Sequence, residues 1–220
     1  MAAARIRKVR TIEGDAGESL VLRERDGNVE LLAGRVVLLS SAALASERAF
    51  GALAGSLGRP PHRVLVGGLG FGATLRGALD ACPASARVVV AERVAAVVRV
   101  ARDTTLAGLP AWLGAPLDDP RASVVHEDVG SIIRRGAGDL DAILLDVDNG
   151  PHWASFRDNA GLYTPAGLAA ARDALATGGM YAVWSGYPAD AFLARLRAAG
   201  FVPRVVPLPE HARAYIGVKP

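Results

Sequence analysis

The spacing of apolar and polar residues changes character near residue 40 of this 220-residue chain. Before that point apolar positions alternate with polar ones in short stretches, the period of half-buried strands. Residues 5–40 therefore read as antiparallel β. Ser19 to Arg25 forms one strand, Asp26-Gly27 is a dipeptide favoured in tight hairpin turns, and Asn28 to Leu32 returns. Ala33-Gly34 turns again and Arg35 to Leu39 makes a third strand. Ser40-Ser41 then supplies N-cap chemistry for a helix over Ala42 to Leu57, which Gly58 ends and Pro60-Pro61 cannot continue. From Val64 onward short apolar runs alternate with helical segments. Strands are expected at Val64 to Val66, Arg87 to Ala91, Ala122 to His126, Asp141 to Asp146 and Met180 to Ser185. Helices are expected from Ala73, over Arg93 to Arg102, near Val129 to Arg135, over Thr164 to Ala176 with Gly178-Gly179 after it, and over Ala189 to Ala199. Phe201 to Val206 and Ala214 to Val218 close the chain as two strands with no helix between them. Such alternation implies an α/β fold: a mostly parallel, Rossmann-like sheet of seven strands with right-handed crossovers and a C-terminal antiparallel hairpin. The division expected is an extension over residues 1–40, a β-meander, and a catalytic domain over 41–220.

Composition supports this picture. Half the residues are apolar (51%) and charged residues make up 21%, enough for a sizeable core and a solvated surface. The net charge of +3 raises a nucleic-acid reading. The arginines are scattered singly apart from Arg5 to Arg10 and Arg134-Arg135, and no nucleic-acid motif accompanies them, so no nucleic-acid partner is expected. Cys82 is the only cysteine, which excludes an intrachain disulfide or a cysteine-rich zinc site and suits a reducing, cytoplasmic setting. No run of apolar residues approaches a membrane span, and no metal is expected.

The candidate chemistry lies where strands end. Val64-Leu65-Val66 runs into Gly67-Gly68-Leu69-Gly70-Phe71-Gly72, and a helix starts at Ala73. A strand, a glycine turn and a helix N-terminus form a site where the backbone approaches a nucleoside-bearing ligand closely. The spacing Gly68-x-Gly70-x-Gly72 is tighter than the dinucleotide fingerprint, which argues against a nicotinamide dehydrogenase. It looks like the first motif of class I S-adenosylmethionine-dependent enzymes. Glu92 closes the second strand, where a carboxylate can accept hydrogen bonds from both ribose hydroxyls, and Asp128 follows the third, within reach of an adenine amino group. The fourth strand ends in Asp146-Val147-Asp148-Asn149-Gly150-Pro151. Asp146 and Asp148 would share a side if the strand persisted, and paired acids beside a sulfonium can orient an amine or accept its proton. The same residues are all turn formers. His152 and Trp153 follow, as an acceptor pocket with His152 a reserve base, or as loop anchors.

With these elements in place the chain resembles the spermidine synthase-like group of the class I S-adenosylmethionine-dependent methyltransferase fold. The likeness rests on the meander, Ser40-Ser41 with Ala45-Ser46-Glu47, the glycine loop from Gly67 to Gly72, Glu92, Glu127-Asp128, the Asp146 segment, and Leu162-Tyr163-Thr164 leading to Gly178-Gly179. It implies that the loop holds the aminoacyl or aminopropyl end of the cofactor, that Glu92 binds ribose and Asp128 adenine, and that Asp146 deprotonates an attacking amine. Two departures bear on the reaction. The acid that aminopropyltransferases carry inside the loop is replaced by Gly70, and the second acid three residues after the catalytic Asp is replaced by Asn149. A loop without an acid fits the carboxylate of ordinary S-adenosylmethionine, so the expectation is methyl transfer to a small polar or amine acceptor, with Asp148 as electrostatic partner of Asp146. The alternatives are aminopropyl transfer from decarboxylated S-adenosylmethionine, and a non-catalytic protein that binds an adenosyl ligand or serves as a scaffold. The meander could cover the active site or pair two subunits into a homodimer.

Overall fold

The computed structural model describes residues 6–103, 108–147, 150–151 and 157–220. Strands β1 (Ile6–Glu13), β2 (Ser19–Arg25), β3 (Asn28–Ala33) and β4 (Val36–Ser40) pair in sequence order as an antiparallel meander. The β2–β3 turn uses Asp26 and Gly27, with φ of 50° and 83°. Two consecutive left-handed residues match the twist of paired strands, which is the reason this dipeptide suits hairpins. The sequence-based reading named three strands within the expected β region, and β1 adds a fourth.

Next comes α1 (Leu44–Ala52), flanked by 3-10 turns at Ser41–Ala43 and Leu53–Ser56. The expected single helix over 42–57 is thus broken into tighter pieces at both ends. Gly55-Ser56-Leu57-Gly58 is a poor helical tail, and 3-10 turns are common at helix termini. The remaining elements are β5 (Arg63–Gly67), α2 (Ala73–Ala81), β6 (Arg87–Ala91), α3 (Ala95–Ala101), β7 (Ala122–Val125), α4 (Val129–Arg134), β8 (Leu140–Leu145), α5 (Pro165–Ala174), β9 (Leu175–Ser185), α6 (Ala191–Ala198), β10 (Val202–Pro207) and β11 (Arg213–Val218). The second sheet runs β10-β11-β9-β8-β5-β6-β7. Its first five strands in the chain are parallel, and β11 joins β9 and β10 antiparallel. One boundary differs in kind. Gly178-Gly179, expected to follow a helix, lies inside β9, whose irregular start is tied to the C-terminus by Gly178 N–H to Lys219 O (2.9 Å) and Lys219 N–H to Gly179 O (2.9 Å).

Period-two alternation sorts the sheet's side chains between two apolar layers. Val64, Val66, Ala142 and Leu144 face one cluster, which also takes in Leu20, Leu22, Val29 and Leu31 of the meander and Phe50 of α1. Leu65, Ile143 and Leu145 face the other, filled from α4, α5 and α6. The meander therefore shares a core with the α1–α2–α3 side of the sheet. Among the described residues no helix is long and apolar enough to cross a membrane.

Helices α1 and α2 pack unusually closely. A methyl group placed on Gly51 of α1 would stand 2.0 Å from Thr74 O of α2, and one on Gly77 of α2 would stand 2.0 Å from Arg48 O of α1. Only glycine permits this backbone approach. It brings Glu47 of α1 to the first turn of α2, where its carbonyl oxygen lies 3.2 Å from the Thr74 hydroxyl.

Candidate active site

Parallel strands end at one edge of the sheet, and the site is assembled there. The carboxyl ends of β5 and β8 are pinned together by Asp146 N–H to Gly67 O (2.8 Å). Gly68 adopts φ 86°, and a Cβ there would lie 2.2 Å from Asp146 O, so the turn admits no side chain. Gly70 and Gly72 also have positive φ, 54° and 90°, and Gly72 leads directly into α2. A Cβ at Gly70 would meet nothing within 4 Å: it opens on empty space.

Glu92, just past β6, reaches across to this loop. Its carboxylate accepts from Leu69 N–H (3.0 Å) and Val94 N–H (2.8 Å). Burial pushes its pKa up while backbone N–H donors pull it back. Asp128 caps α4 by accepting from Ser131 N–H (2.9 Å), and its Oδ1 also lies 3.6 Å from Arg134. These contacts fall on Oδ1. Glu127 beside it pairs with Arg135.

Asp146 meets a partner that sequence reasoning did not assign. The Thr74 hydroxyl, on the first turn of α2, stands 2.5 Å from Asp146 Oδ2 and 3.2 Å from the carbonyl oxygen of Glu47 on α1. Burial pushes the Asp146 carboxyl up to about 6, with the Thr74 hydrogen bond opposing the shift. Glu47 is raised well above the usual carboxylate range, first by burial, then by the negative charges of Asp146 and Glu210. The two carboxyls line one cavity and act on each other electrostatically, so ionising both is costly. Trp184, at the end of β9, donates its indole N–H to Ser46 Oγ (3.3 Å), one residue from Glu47.

A cavity of about 500 Å³ joins these groups, a size suited to a nucleoside-bearing ligand. Glu92, Asp128 and Val129 line it together with Glu47, Asp146 and Trp184, and Gly68 and Gly70 of the loop. Val37 to Ser40 of β4 add a wall from the meander. Of the two roles open to the meander from sequence, covering the site is thus the one built into the chain itself.

The structure brings Gly68, Gly70, Glu92, Asp128 and Asp146 to one cavity, with Gly67 at its strand and Gly72 at its helix. Asp148, Asn149, His152 and Trp153 lie outside the described residues. Glu47, which sequence reasoning gave no role in the chemistry, lines the same cavity as Asp146 and acts on it electrostatically. Its signal in the sequence was slight, an acid in the first turn of an otherwise small and apolar helix. Thr74 and Trp184 carried no signal, since their roles arise from tertiary contact alone. Among the described residues no group of three or more His, Cys, Asp or Glu side chains could hold a metal ion.

No protein-family model and no curated protein sequence matches the chain. Solved structures do. A spermidine synthase from Thermotoga maritima matches with a TM-score of 0.74 over 97% of this chain and 73% of its own, at 20% identity. A spermidine synthase in complex with the transition state analogue AdoDATO gives 0.72 over the same shares, also at 20% identity. Human methyltransferase-like protein 13 in complex with SAH gives 0.56 over 81% of this chain and 78% of its own, at 22% identity. The chain has the fold of the spermidine synthases: the seven-stranded sheet of class I S-adenosylmethionine-dependent methyltransferases, preceded by an antiparallel β-sheet.

Proposed function

We propose that the cleft binds an adenosyl sulfonium compound and transfers its aminopropyl group to a small amine. The observation that carries this reading is the charge of the cavity wall. Glu47, Glu92, Asp128 and Asp146 line it, with Glu127 paired to Arg135 and Asp128 near Arg134, and Arg93 is the one cationic lining residue among the described residues, so acids still outnumber cations on the wall. Decarboxylated S-adenosylmethionine brings two positive charges and no negative one, whereas S-adenosylmethionine brings a carboxylate that such a wall repels. The loop supports the same choice. The sequence-based preference for methyl transfer rests on the absence of an acid at Gly70 and on bare N–H groups in the loop, of which Leu69 N–H already donates to Glu92. Likeness to proteins named spermidine synthases points the same way.

The residues present fit such a group. Gly68 allows the chain to turn under the cavity, Gly70 leaves room above it, and the surrounding donor set is acidic. When bound, the decarboxylated cofactor supplies a carbon beside a sulfonium, where a C–N bond to the acceptor forms as the C–S bond breaks and sulfur keeps the electron pair. Glu92 would hold the ribose hydroxyls, and Asp128 the adenine through Oδ2. Asp146, ionised at neutral pH, would take the proton of the acceptor ammonium, and the Thr74 hydroxyl fixes the carboxylate for that task. Strand β4 and Trp184 would exclude water from the reacting atoms. A homodimer through the meander belongs to the same proposal.

Methyl transfer stands as the second reading, favoured by the open space at Gly70, which would admit a methionine carboxylate. Calorimetric titration separates the two. Decarboxylated S-adenosylmethionine is expected to bind more tightly than S-adenosylmethionine, and Glu92→Ala to weaken either by about 10–100-fold, the worth of charge-assisted hydrogen bonds to ribose. Tighter binding of S-adenosylmethionine would favour the methyl reading. Unchanged affinity in the variant would remove Glu92 from the site.

A further inference from the structure

The turn between β10 and β11 lies far from the glycine loop in sequence, yet it reaches α1 one residue from Glu47. Glu210 and His211 adopt φ of 58° and 62°. Two consecutive non-glycine residues in the left-handed region are uncommon and persist where the surroundings hold them. Here the hold is a long-range cap: Glu210 Oε2 accepts from Ser46 N–H (3.1 Å), across 164 residues of sequence. Ser46 is the third residue of α1, whose own N-cap, Ala43, offers no side-chain bond. An exposed glutamate thus supplies the acceptor that the helix lacks, directly beside Glu47.

We propose that Glu210 is a positioning residue of the candidate active site: by capping α1 from this turn it holds Glu47 in the cavity wall that Asp146 also lines, and it places a negative charge beside Glu47.

Among the described residues, the charged groups that act on Glu47 are Asp146 from the end of β8 and Glu210 from the β10–β11 turn. Thr74 of α2 and Trp184 of β9 complete the surroundings with neutral groups. Arg48, next along α1, offers no compensation, because its guanidinium is engaged by Asp80 (2.9 Å) and lies over the Trp112 ring (4.9 Å). Glu47 is raised by two negative neighbours as well as by burial, whereas Asp146 is raised by burial and drawn back by Thr74. Burial and its two negative neighbours favour the protonated form of Glu47, whereas the Thr74 hydrogen bond favours the ionised form of Asp146. Without the Glu210 charge Glu47 would ionise more readily, which adds a negative charge beside Asp146. The cleft would then grip an ammonium more tightly and release its proton less easily.

For catalysis the proposal rests on the transfer reading, but its test does not. Carboxyl carbons labelled with 13C are titrated by NMR in the free protein, for the wild type, Glu210→Gln and Glu210→Ala. Glutamine keeps an oxygen to cap Ser46 N–H and loses the charge, so it controls for folding. The expected result is that Glu47 titrates above Asp146 in the wild type, and that its midpoint moves down in both variants while thermal stability falls only in Glu210→Ala. A Glu47 midpoint unchanged in Glu210→Gln would reduce Glu210 to a helix cap and overturn the proposal. In turnover with an amine acceptor, Glu210→Gln is expected to lower KM and kcat together. If the protein bound no adenosyl compound, the transfer reading would fail while the titration still decided the role of Glu210.

Discussion

Asp146 carries the conflict between stability and chemistry in its sharpest form. Its carboxyl is raised from an ordinary 3.8 to about 6 by desolvation. The folded state therefore binds this proton more tightly than the unfolded chain does. The stabilising effect is complete below about pH 4 and is lost as pH rises from 4 to 6; at neutral pH the buried charge costs about 2–3 kcal/mol. Asp146→Asn removes the charge and keeps a group that Thr74 can hydrogen-bond. Its melting temperature is expected to exceed that of the wild type by about 4–8 °C at pH 7, with no difference near pH 4. Activity should fall by about 10²–10⁴-fold, the usual worth of a general base. Calorimetry at the two pH values checks the first part. A variant less stable at pH 7 would show that the carboxylate is a net structural asset.

At the scale of elements, the site depends on how closely α1 approaches α2. A glycine inside a helix is ordinarily a weakness that alanine relieves by about 0.5–1 kcal/mol. At Gly77 the sign reverses, because the new methyl group would stand 2.0 Å from Arg48 O. Gly77→Ala is expected to lose about 1–3 kcal/mol, the cost of overpacking, and to draw Glu47 away from Asp146. Thermal denaturation, together with the midpoint of Asp146 by NMR, measures both. A stabilised Gly77→Ala would mean that the helices are not held at this distance.

These elements also show what the sequence reveals. β5, β6 and β8 were legible because each is a continuous apolar run that stops at a glycine or an acid, as expected of strands buried on both faces. The glycine loop, Glu92, Asp128 and Asp146 were legible for the same reason, since each sits one step beyond such a strand. The true extents of α1 and β9 were not. One depends on weak terminal propensities, and the other on hydrogen bonds to Lys219 from the far end of the chain. The contacts that give Asp146 its chemistry were hidden altogether. Thr74 lies 72 residues from Asp146, and Glu210 lies 164 from Ser46. No local pattern encodes either. The choice between methyl and aminopropyl transfer suffered from this: Gly70, Glu92, Asp128 and Asp146 could be read directly, but the place of Glu47 in the same wall could not.

For the whole molecule, the meander and the sheet make one cleft rather than two neighbouring units. β4 lines the cavity, and the β1–β2 turn grips the helix that follows Glu92, with Asp15 accepting from Ala95 N–H (2.6 Å) and Ala96 N–H (3.0 Å) of α3. The resulting enclosure is acidic in a protein whose net charge is +3. On the proposed reading that contrast makes the cavity a place for cations. The most direct test of that reading is the nucleoside that the protein releases. The protein is incubated with a diamine and either decarboxylated S-adenosylmethionine or S-adenosylmethionine, and products are identified by mass. The account predicts methylthioadenosine from the decarboxylated compound, at a rate that depends on Asp146. S-adenosylhomocysteine from S-adenosylmethionine, with no methylthioadenosine from its decarboxylated form, would contradict it.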